Sequence, residues 1–264
     1  MPMSTEKNIR HSIDESHICV TFSNELIWFL NRSKRDKPLL SCLHRRASVK
    51  DIIESFGVPH TEVGRIIFNG GLTDFSIIPQ TSGQLEVFGF SSPAEMSQGT
   101  ILRPRIPDDK KFIADLNVIR LGSYLILLGY DVVLAYDLPD AQIADQAHTE
   151  DRIVLTRDTR LLFRKQVVFA KRIRASQPMD QLAEVVSFFG LSPNVSDFFT
   201  RCSKCNTSLL PVEKSKIDHL LEPKTRKYYH LFFQCPVCNQ VFWKGTHYDR
   251  MLVRFQAAGI LKSL

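Results

Sequence analysis

Two cysteine pairs near the C-terminus restrict the fold of this chain more than any other feature. Cys202 and Cys205 form one C-x-x-C pair, and Cys235 and Cys238 form another. Each pair can place two thiolates on one tight turn, and two such turns supply the four sulfur ligands that structural zinc takes in tetrahedral geometry. A redox C-x-x-C is the alternative, but two pairs in a basic context unlike thioredoxin argue against it. The spacing predicts a closed zinc site with a structural role.

Length and composition favour an intracellular protein of two domains. The chain has 264 residues, enough for two separate cores. No apolar run approaches the 18 residues or more of a membrane span, so we expect no membrane partner. The first residues are polar and lack a secretion signal, and the two remaining cysteines, Cys19 and Cys42, are isolated. We therefore expect a cytoplasmic location.

The positive charge is concentrated at the C-terminal end. Residues 201–264 hold 11 Lys/Arg and 4 Asp/Glu, a net of +7, whereas the whole chain carries +6. A basic module beside acidic residues suits a polyanion such as nucleic acid, although a merely soluble basic surface is an equal alternative. The same region holds six aromatic residues, which could stack on bases or cover the module's small core. They are Tyr228, Tyr229, Phe232, Phe233, Phe242 and Trp243.

The pattern along the chain predicts three structured parts. We expect a polar arm at 1–16, a first domain at 17–90, a linker at 91–109, an α/β domain at 110–200, and a zinc module with a terminal helix at 201–264. In the first domain, NELIWFLNR looks helical with Asn24 as a possible cap, and SVKDIIESF looks helical with Ser48 at its N-cap. From 110 onward, strands alternate with helices, and QVVFA is expected to be a short strand. Such alternation predicts a parallel sheet with helices on its faces.

Aspartates follow three of the predicted strands. Asp115 ends KFIAD, Asp158 ends RIVLTRD, and Asp140 lies just past YDVVLAY, with Asp137 three residues before it. Ligands bind outside the carboxyl ends of parallel strands, so these side chains could meet at one edge. A cluster of carboxylates needs divalent cations, and hard oxygen ligands select Mg²⁺ or Mn²⁺. Two such ions can activate water and steady the leaving oxygen of a phosphodiester. The alternative for each aspartate is a helix N-cap.

Basic side chains surround the last of these aspartates. Arg157 and Arg160 flank Asp158 and could line a phosphate track, or belong to a solvated helix face. Arg120 could likewise position a nucleic-acid backbone. Thr156 could hydrogen-bond the substrate, orient Asp158, or be an ordinary strand-end threonine.

The segment from Phe112 to Arg250 resembles the C-terminal RNase domain of the Mut-seven family, a branch of the PIN-like nucleases. The motifs that carry the resemblance are FIAD-x-x-V-x-R-L, YLILLGYDV, RIVLTRDTRLL, QLAEVVSFFGL, RCSKCN and QCPVCNQVFWKGTHYDRM. The resemblance implies a PIN-like parallel sheet with a zinc ribbon and metal-dependent RNA cleavage. Asp115 and Asp158 match the first and the TRD acidic positions of the family. Asp140 matches the middle acidic position, for which Asp137 competes.

The chain departs from the family pattern after the first aspartate. The family usually shows Leu-Gly-Arg-Leu-Ala-Arg there, whereas this chain has VIRLGS, and a further usual arginine is Ile126. The lower positive charge on that helix bears on RNA affinity rather than on the metal site.

Residues 17–90 resemble the ubiquitin-like β-grasp domain often fused ahead of this RNase domain, on the segment SVKDIIESFGVPHTEVGRIIFNG. Related sulfur carriers end in a free Gly-Gly, whereas Gly70-Gly71 is predicted to be an internal turn here. Sulfur transfer is therefore not expected, and a protein partner of this domain is.

The hypothesis that follows is a Mg²⁺- or Mn²⁺-dependent ribonuclease whose structural zinc ribbon aids RNA binding. A second hypothesis is a non-catalytic RNA- or ribosome-associated adaptor that keeps the fold and the zinc.

Overall fold

A computed structural model describes residues 17–35, 37, 39–43 and 46–261. The polar arm expected at 1–16 lies outside the described residues. The chain divides into two compact units. One comprises Met1–Val58 and Val63–Gly89, and the other comprises Pro59–Glu62 and Phe90–Leu264. The domain boundaries expected from sequence remain predictions.

The first unit is a five-stranded sheet with one helix, in the order β2-β1-β5-β3-β4. Its elements are β1 (His17–Phe22), β2 (Leu39–Cys42), α1 (Val49–Ser55), β3 (Val63–Phe68), β4 (Gly71–Leu72) and β5 (Gly83–Gly89). β1 pairs antiparallel with β2 and parallel with β5, and β5 pairs antiparallel with β3. The expected ubiquitin-like fold is confirmed in this arrangement.

An N-cap and a tight turn in this unit form where the sequence predicts them. Ser48 caps α1 in a capping box, because its hydroxyl accepts from Asp51 N while the Asp51 carboxylate accepts from Ser48 N. Asn69 and Gly70 both have positive φ, at 48° and 81°, so an Asn-Gly turn joins β3 to β4. Gly70-Gly71 is therefore an internal turn, as expected.

The helix expected over NELIWFLNR is wrong. Two 3₁₀ turns replace it, at Ile27–Phe29 and Arg32–Lys34. Asn31 is extended, and its side chain accepts from Ser33 N, so it starts a new turn instead of continuing the first. Asn24 caps neither turn. Leu26 and Leu30 still reach the core through the shorter turns.

The second unit is built on a four-stranded parallel sheet in the order β7-β6-β8-β9. The strands are β6 (Lys111–Asp115), β7 (Asp131–Ala135), β8 (Arg152–Thr156) and β9 (Ala170–Arg172). The chain moves from β6 to β7 on one side and then returns to β8 on the other side. The strand order reverses at β6, which makes the carboxyl ends of β6 and β8 a topological switch point.

Helices cover both faces of this sheet. They are α2 (Ile119–Leu127), α3 (Asp140–Thr149), α4 (Thr159–Leu162) and α5 (Pro178–Phe188). Leu121 of α2 and Leu182 of α5 join one buried cluster with Phe112, whereas α3 and α4 pack with Ile113 in another. Gly122 permits the close approach of α2, because a Cβ there would lie 2.6 Å from Ala114 Cβ.

The strand expected over QVVFA is displaced along the chain. β9 occupies Ala170–Arg172, because these residues pair in parallel with Val154, Leu155 and Thr156 of β8. Val167 and Phe169 are buried as their apolar character predicts, but they lie before the paired residues.

A small antiparallel sheet follows, with strand order β10-β11-β12. Its elements and their neighbours are β10 (Leu210–Val212), α6 (Lys214–Ile217), α7 (Pro223–Tyr228), β11 (Phe232–Gln234), β12 (Val241–Trp243) and α8 (Thr246–Ala257). α8 is the expected terminal helix, and its Phe255 packs on Tyr124 of α2 with ring centroids 5.5 Å apart. Among the described residues, no helix has both the length and the apolar character that crossing a bilayer requires.

Candidate functional site

The carboxyl ends of β6 and β8 place Asp115, Thr156 and Asp158 at one edge of the parallel sheet. Asp115 is the last residue of β6, and Thr156 is the last residue of β8. These strands are direct neighbours, with Ala114 opposite Leu155. The topology therefore brings both predicted acidic strand ends to the switch point, where ligands of open α/β sheets bind.

A buried hydroxyl joins the two aspartates. Thr156 is fully buried, and its Oγ1 donates to Asp115 Oδ2 over 2.6 Å while accepting from Asp158 N over 2.9 Å. Asp115 Oδ1 also accepts from Leu116 N at 2.6 Å. Thr156 thus contacts the carboxylate of Asp115 and the backbone of Asp158. The roles expected for it remain predictions.

Asp158 has one oxygen engaged and one available. Its Oδ1 accepts from Arg160 N at 2.8 Å and caps the short helix α4. Its Oδ2 accepts no hydrogen bond from the described residues. The N-cap alternative considered for this residue is therefore real, but it occupies only half of the carboxylate.

Asp137 and Asp140 lie after β7, and their side chains make no hydrogen bond or ion pair with the described residues. Asp137 is exposed, and Asp140 is half-buried at the start of α3 with no side-chain cap bond. In the part of the chain that the structure describes, Asp115, Asp140 and Asp158 do not form a group of three whose ligand oxygens lie within 4.8 Å of one another. Their convergence around ions remains a prediction.

The predicted phosphate contacts are open to solvent. Arg120, Arg157 and Arg160 are all exposed. Arg120 lies in the first turn of α2, and the other two flank Asp158, so all three follow strands that end at the acidic edge. Exposure leaves their guanidinium groups available to a polyanion.

The four paired cysteines meet in a compact cluster. Their sulfur atoms all lie within 4.8 Å of one another, and Cys202 Sγ is 3.7 Å from Cys238 Sγ. Tetrahedral zinc with Zn–S bonds of about 2.3 Å separates its sulfurs by about 3.8 Å, so the cluster has the right size for such an ion. Burial alone would raise the pKa of Cys235, but backbone N–H groups of Cys238 and Val237 lower it to about 7. The cluster fits a metal ion and is consistent with a zinc ribbon.

Comparison with known protein families decides what this arrangement belongs to. The family model described as Mut7-C RNAse domain matches residues 110–255, and the model described as Mut7-C ubiquitin matches residues 15–95. The chain belongs to the Mut7-C RNAse domain family. Searches of curated proteins and of solved structures found no match.

The Mut7-C motif RCSKCN attaches the first cysteine turn to the parallel sheet. Arg201 Nε donates to Gly129 O at 2.9 Å, and its Nη1 donates to Asn206 O at 2.7 Å. Asn206 adopts positive φ, donates to Asp131 Oδ1 at 2.7 Å and accepts from Val132 N at 3.1 Å. The residues beside the cysteines in this motif therefore dock the metal module onto the start of β7.

Asp131 is the acceptor at the centre of this junction. Burial would raise its pKa, but hydrogen bonds from Arg152 and Asn206 outweigh burial and lower it. We expect Asp131→Ala to destabilise the protein by about 1–3 kcal/mol, because it removes two hydrogen bonds, one of them charge-assisted. Urea unfolding monitored by circular dichroism measures this loss.

Glu150→Ala is the matched control. Glu150 also accepts from Arg152 over 2.6 Å, but it is exposed and has no contact with the metal module. We expect an effect below about 1 kcal/mol for this exposed pair. Equal losses in the two variants would show that the Asp131–Asn206 contact contributes nothing.

Asn117 is a site residue that sequence reasoning missed. Its Nδ2 donates to Asp115 Oδ2 and, at 3.4 Å, to Thr156 Oγ1, and its Oδ1 accepts from Arg157 N at 2.8 Å. It therefore bridges the ends of β6 and β8. Its place two residues after Asp115, in the FIAD motif at a helix start, was the available signal.

Proposed function

We propose that this Mut7-C protein is a Mg²⁺- or Mn²⁺-dependent ribonuclease that hydrolyses RNA phosphodiester bonds at Asp115 and Asp158. The observation that carries the proposal is the Thr156 hydroxyl, which joins the Asp115 carboxylate to the backbone N–H of Asp158 at the topological switch point. Asp140 would complete the site, and Asp137 is the alternative at that position.

The donor set suits a hard cation. Asp158 Oδ2 and the unbonded oxygens of Asp140 are carboxylate ligands, and no thiol or imidazole is part of this set. Mg²⁺ keeps several waters and needs only one or two carboxylates, so the three aspartates need not all bind one ion directly. When bound, such an ion would activate water and neutralise charge on the phosphate.

The remaining residues bind and orient. Thr156 and Asn117 hold the Asp115 carboxylate by hydrogen bonds, so that it keeps one orientation. Arg120, Arg157 and Arg160 would bind phosphates on either side of the scissile bond. A charge-assisted contact of this kind positions the strand without reading its sequence.

We propose zinc as the metal of the four-cysteine cluster, with a structural role, because all four positions of a tetrahedral ion are taken by protein. The ubiquitin-like unit would bind a protein partner. Its Gly70-Gly71 is an internal turn, so it offers no terminal carboxylate for sulfur transfer.

The spacing of the three aspartates favours one other candidate, a non-catalytic RNA- or ribosome-associated adaptor. Both candidates share the exposed arginines and the basic C-terminal module. Only the ribonuclease requires divalent cations for turnover.

Metal dependence tests the proposal. We expect no cleavage of an end-labelled single-stranded RNA without added divalent cation, and we expect cleavage that saturates as Mg²⁺ or Mn²⁺ is added. Ca²⁺ is the control, because it binds oxygen ligands but prefers longer, more flexible coordination. Products separated on a denaturing gel give the rate.

The same assay separates the candidates. RNA binding without cleavage under every metal condition would establish the adaptor and end the ribonuclease proposal. Metal should be withheld by dialysis rather than by strong chelation, so that the cysteine cluster keeps its zinc.

A further inference from the structure

A cavity of about 420 Å³ lies apart from the acidic edge, within the second unit. Its walls come from the C-terminal half of α2, from β12 and from the first turn of α8, and no aspartate or glutamate lines it. The volume falls within the range of about 300–1,000 Å³ that is typical of small-molecule sites. The FW-x-G-x-H motif of the sequence supplies much of this lining.

Four aromatic residues line the cavity, namely Trp243, Phe242, Tyr248 and Phe199. Gly245 allows the indole to approach the chain here, because a Cβ on Gly245 would lie 2.7 Å from Trp243 Nε1. Flat π surfaces of this kind stack on nucleobases with little regard to sequence.

A second feature of the cavity is the N-terminus of α8, a helix of twelve residues. Its N-cap is Gly245, which provides no side-chain acceptor. The first intrahelical bond runs from Asp249 N to Gly245 O, so the N–H groups of Thr246, His247 and Tyr248 have no partner among the described residues. Such N–H groups and the helix dipole favour an anion, and Arg201, which also lines the cavity, adds positive charge.

We propose that this cavity binds one nucleotide, with its base against Trp243 and its phosphate at the N-terminus of α8. The identification of that nucleotide as part of an RNA substrate rests on the proposed function. Ser123 lines the cavity one turn beyond Arg120 on α2, and α2 begins a few residues after Asp115. An RNA strand bound both at the acidic edge and in the cavity would therefore run along α2.

Adenosine 5′-monophosphate and adenosine are the probes. The background carries Asp158→Asn, so that no cleavage intervenes, and Trp28→Phe, which leaves Trp243 as the sole tryptophan of the chain. We expect the nucleotide to quench Trp243 fluorescence and to bind about three- to tenfold more tightly than the nucleoside, the gain expected for an anion at a helix N-terminus.

Two further variants separate the parts of the site. Ser123→Phe fills the cavity from α2 and should weaken both probes by about tenfold or more. Thr246→Pro keeps helix geometry at the first position after the extended Gly245 but removes one N–H, so it should reduce the advantage of the nucleotide over the nucleoside. Ser187→Phe, at an exposed serine of α5 outside the cavity, should change neither.

Absence of quenching, or equal affinities in the Ser123→Phe and Ser187→Phe variants at unchanged zinc content and circular dichroism, would overturn the proposal. Failure of the ribonuclease assay is a distinct result, because it is read as product on a gel in the protein with Asp158 intact. Nucleotide binding that depends on Ser123 would stand even if that assay gave no product.

Discussion

Replacing Asp158 with Asn is expected to lower RNA cleavage by about 1,000-fold, which corresponds to about 4 kcal/mol of transition-state stabilisation lost with a metal ligand. The amide oxygen can still accept from Arg160 N, so the N-cap of α4 survives. The change therefore removes charge at the site and leaves the local structure in place. The ratio of kcat/KM between the wild type and the variant measures the effect.

RNA affinity supplies the first control for this experiment. The phosphate contacts proposed for Arg120, Arg157 and Arg160 do not require the charge of Asp158, so RNA binding measured by fluorescence anisotropy should be retained. A parallel loss of binding and cleavage would point to damage of the surface rather than of catalysis.

Asp145→Asn provides the matched substitution on the same fold. Asp145 lies on α3, is exposed, and its side chain makes no contact with the acidic edge. Purified alongside the others, it also reports contaminating nuclease, because contamination would give equal cleavage in all three preparations. Equal rates for the wild type and Asp158→Asn would remove the ribonuclease proposal.

Asp137 and Asp140 can be distinguished in the same assay. Asp140 is half-buried at the start of α3, whereas Asp137 is exposed in the loop before it. We expect Asp140→Asn to lower cleavage and Asp137→Asn to leave it within about threefold of the wild type, since an exposed loop carboxylate loses little when neutralised. The reverse order would assign the middle acidic position to Asp137.

Sequence alone was sufficient where one local rule decided the outcome. Ser48 predicted a capped helix, Gly70-Gly71 predicted an internal turn, and the β/α alternation predicted the parallel sheet. The first two depend on neighbours within a few residues, and the third depends on a repeated order of elements. The cysteine pairs were equally informative, because two such turns predicted the cluster of four sulfur atoms that the structure shows.

The prediction was wrong where a segment could form more than one local structure and contacts distant in sequence determined which one forms. Asn31 could continue a helix or cap a new turn, and the structure adopts the second. The start of β9 depends on which of its residues pair with β8, and the apolar run QVVFA carries no information about that pairing. Asn117 was missed for the same reason, since its partners Thr156 and Arg157 lie about 40 residues away in sequence.

Loss of the proposed zinc from the cysteine cluster is the second change with a large expected effect. The core around the cluster is small, with four buried members, Cys202, Leu209, Cys235 and Phe242, and a second small cluster of the module holds Ile217, Leu221 and Phe232. Two of the first four would themselves be ligands. A core of this size cannot offset the conformational entropy of its chain, so metal binding, of about 10 kcal/mol or more, must supply the difference.

We expect Cys235→Ser to lose zinc and to unfold residues 202–243 while the parallel sheet remains folded. Wild-type protein should contain about one zinc ion per chain, released in proportion when the thiols are modified. Limited trypsin digestion should then cut the variant at Lys204 and within the module, and leave a fragment that contains the sheet. Cys42→Ser, at an exposed cysteine remote in sequence from the cluster, should retain zinc and resist digestion.

The unfolding should extend to the contacts that Asn206 makes with Asp131 and Val132. Those contacts require the first cysteine turn, because Asn206 holds positive φ there and its N–H bonds to Cys202 O at 2.9 Å. When the turn opens, β7 loses its partner at Val132, so the melting temperature of the remaining sheet should fall as well. A Cys235→Ser variant with wild-type zinc content and melting temperature would show that the cluster does not hold a structural metal.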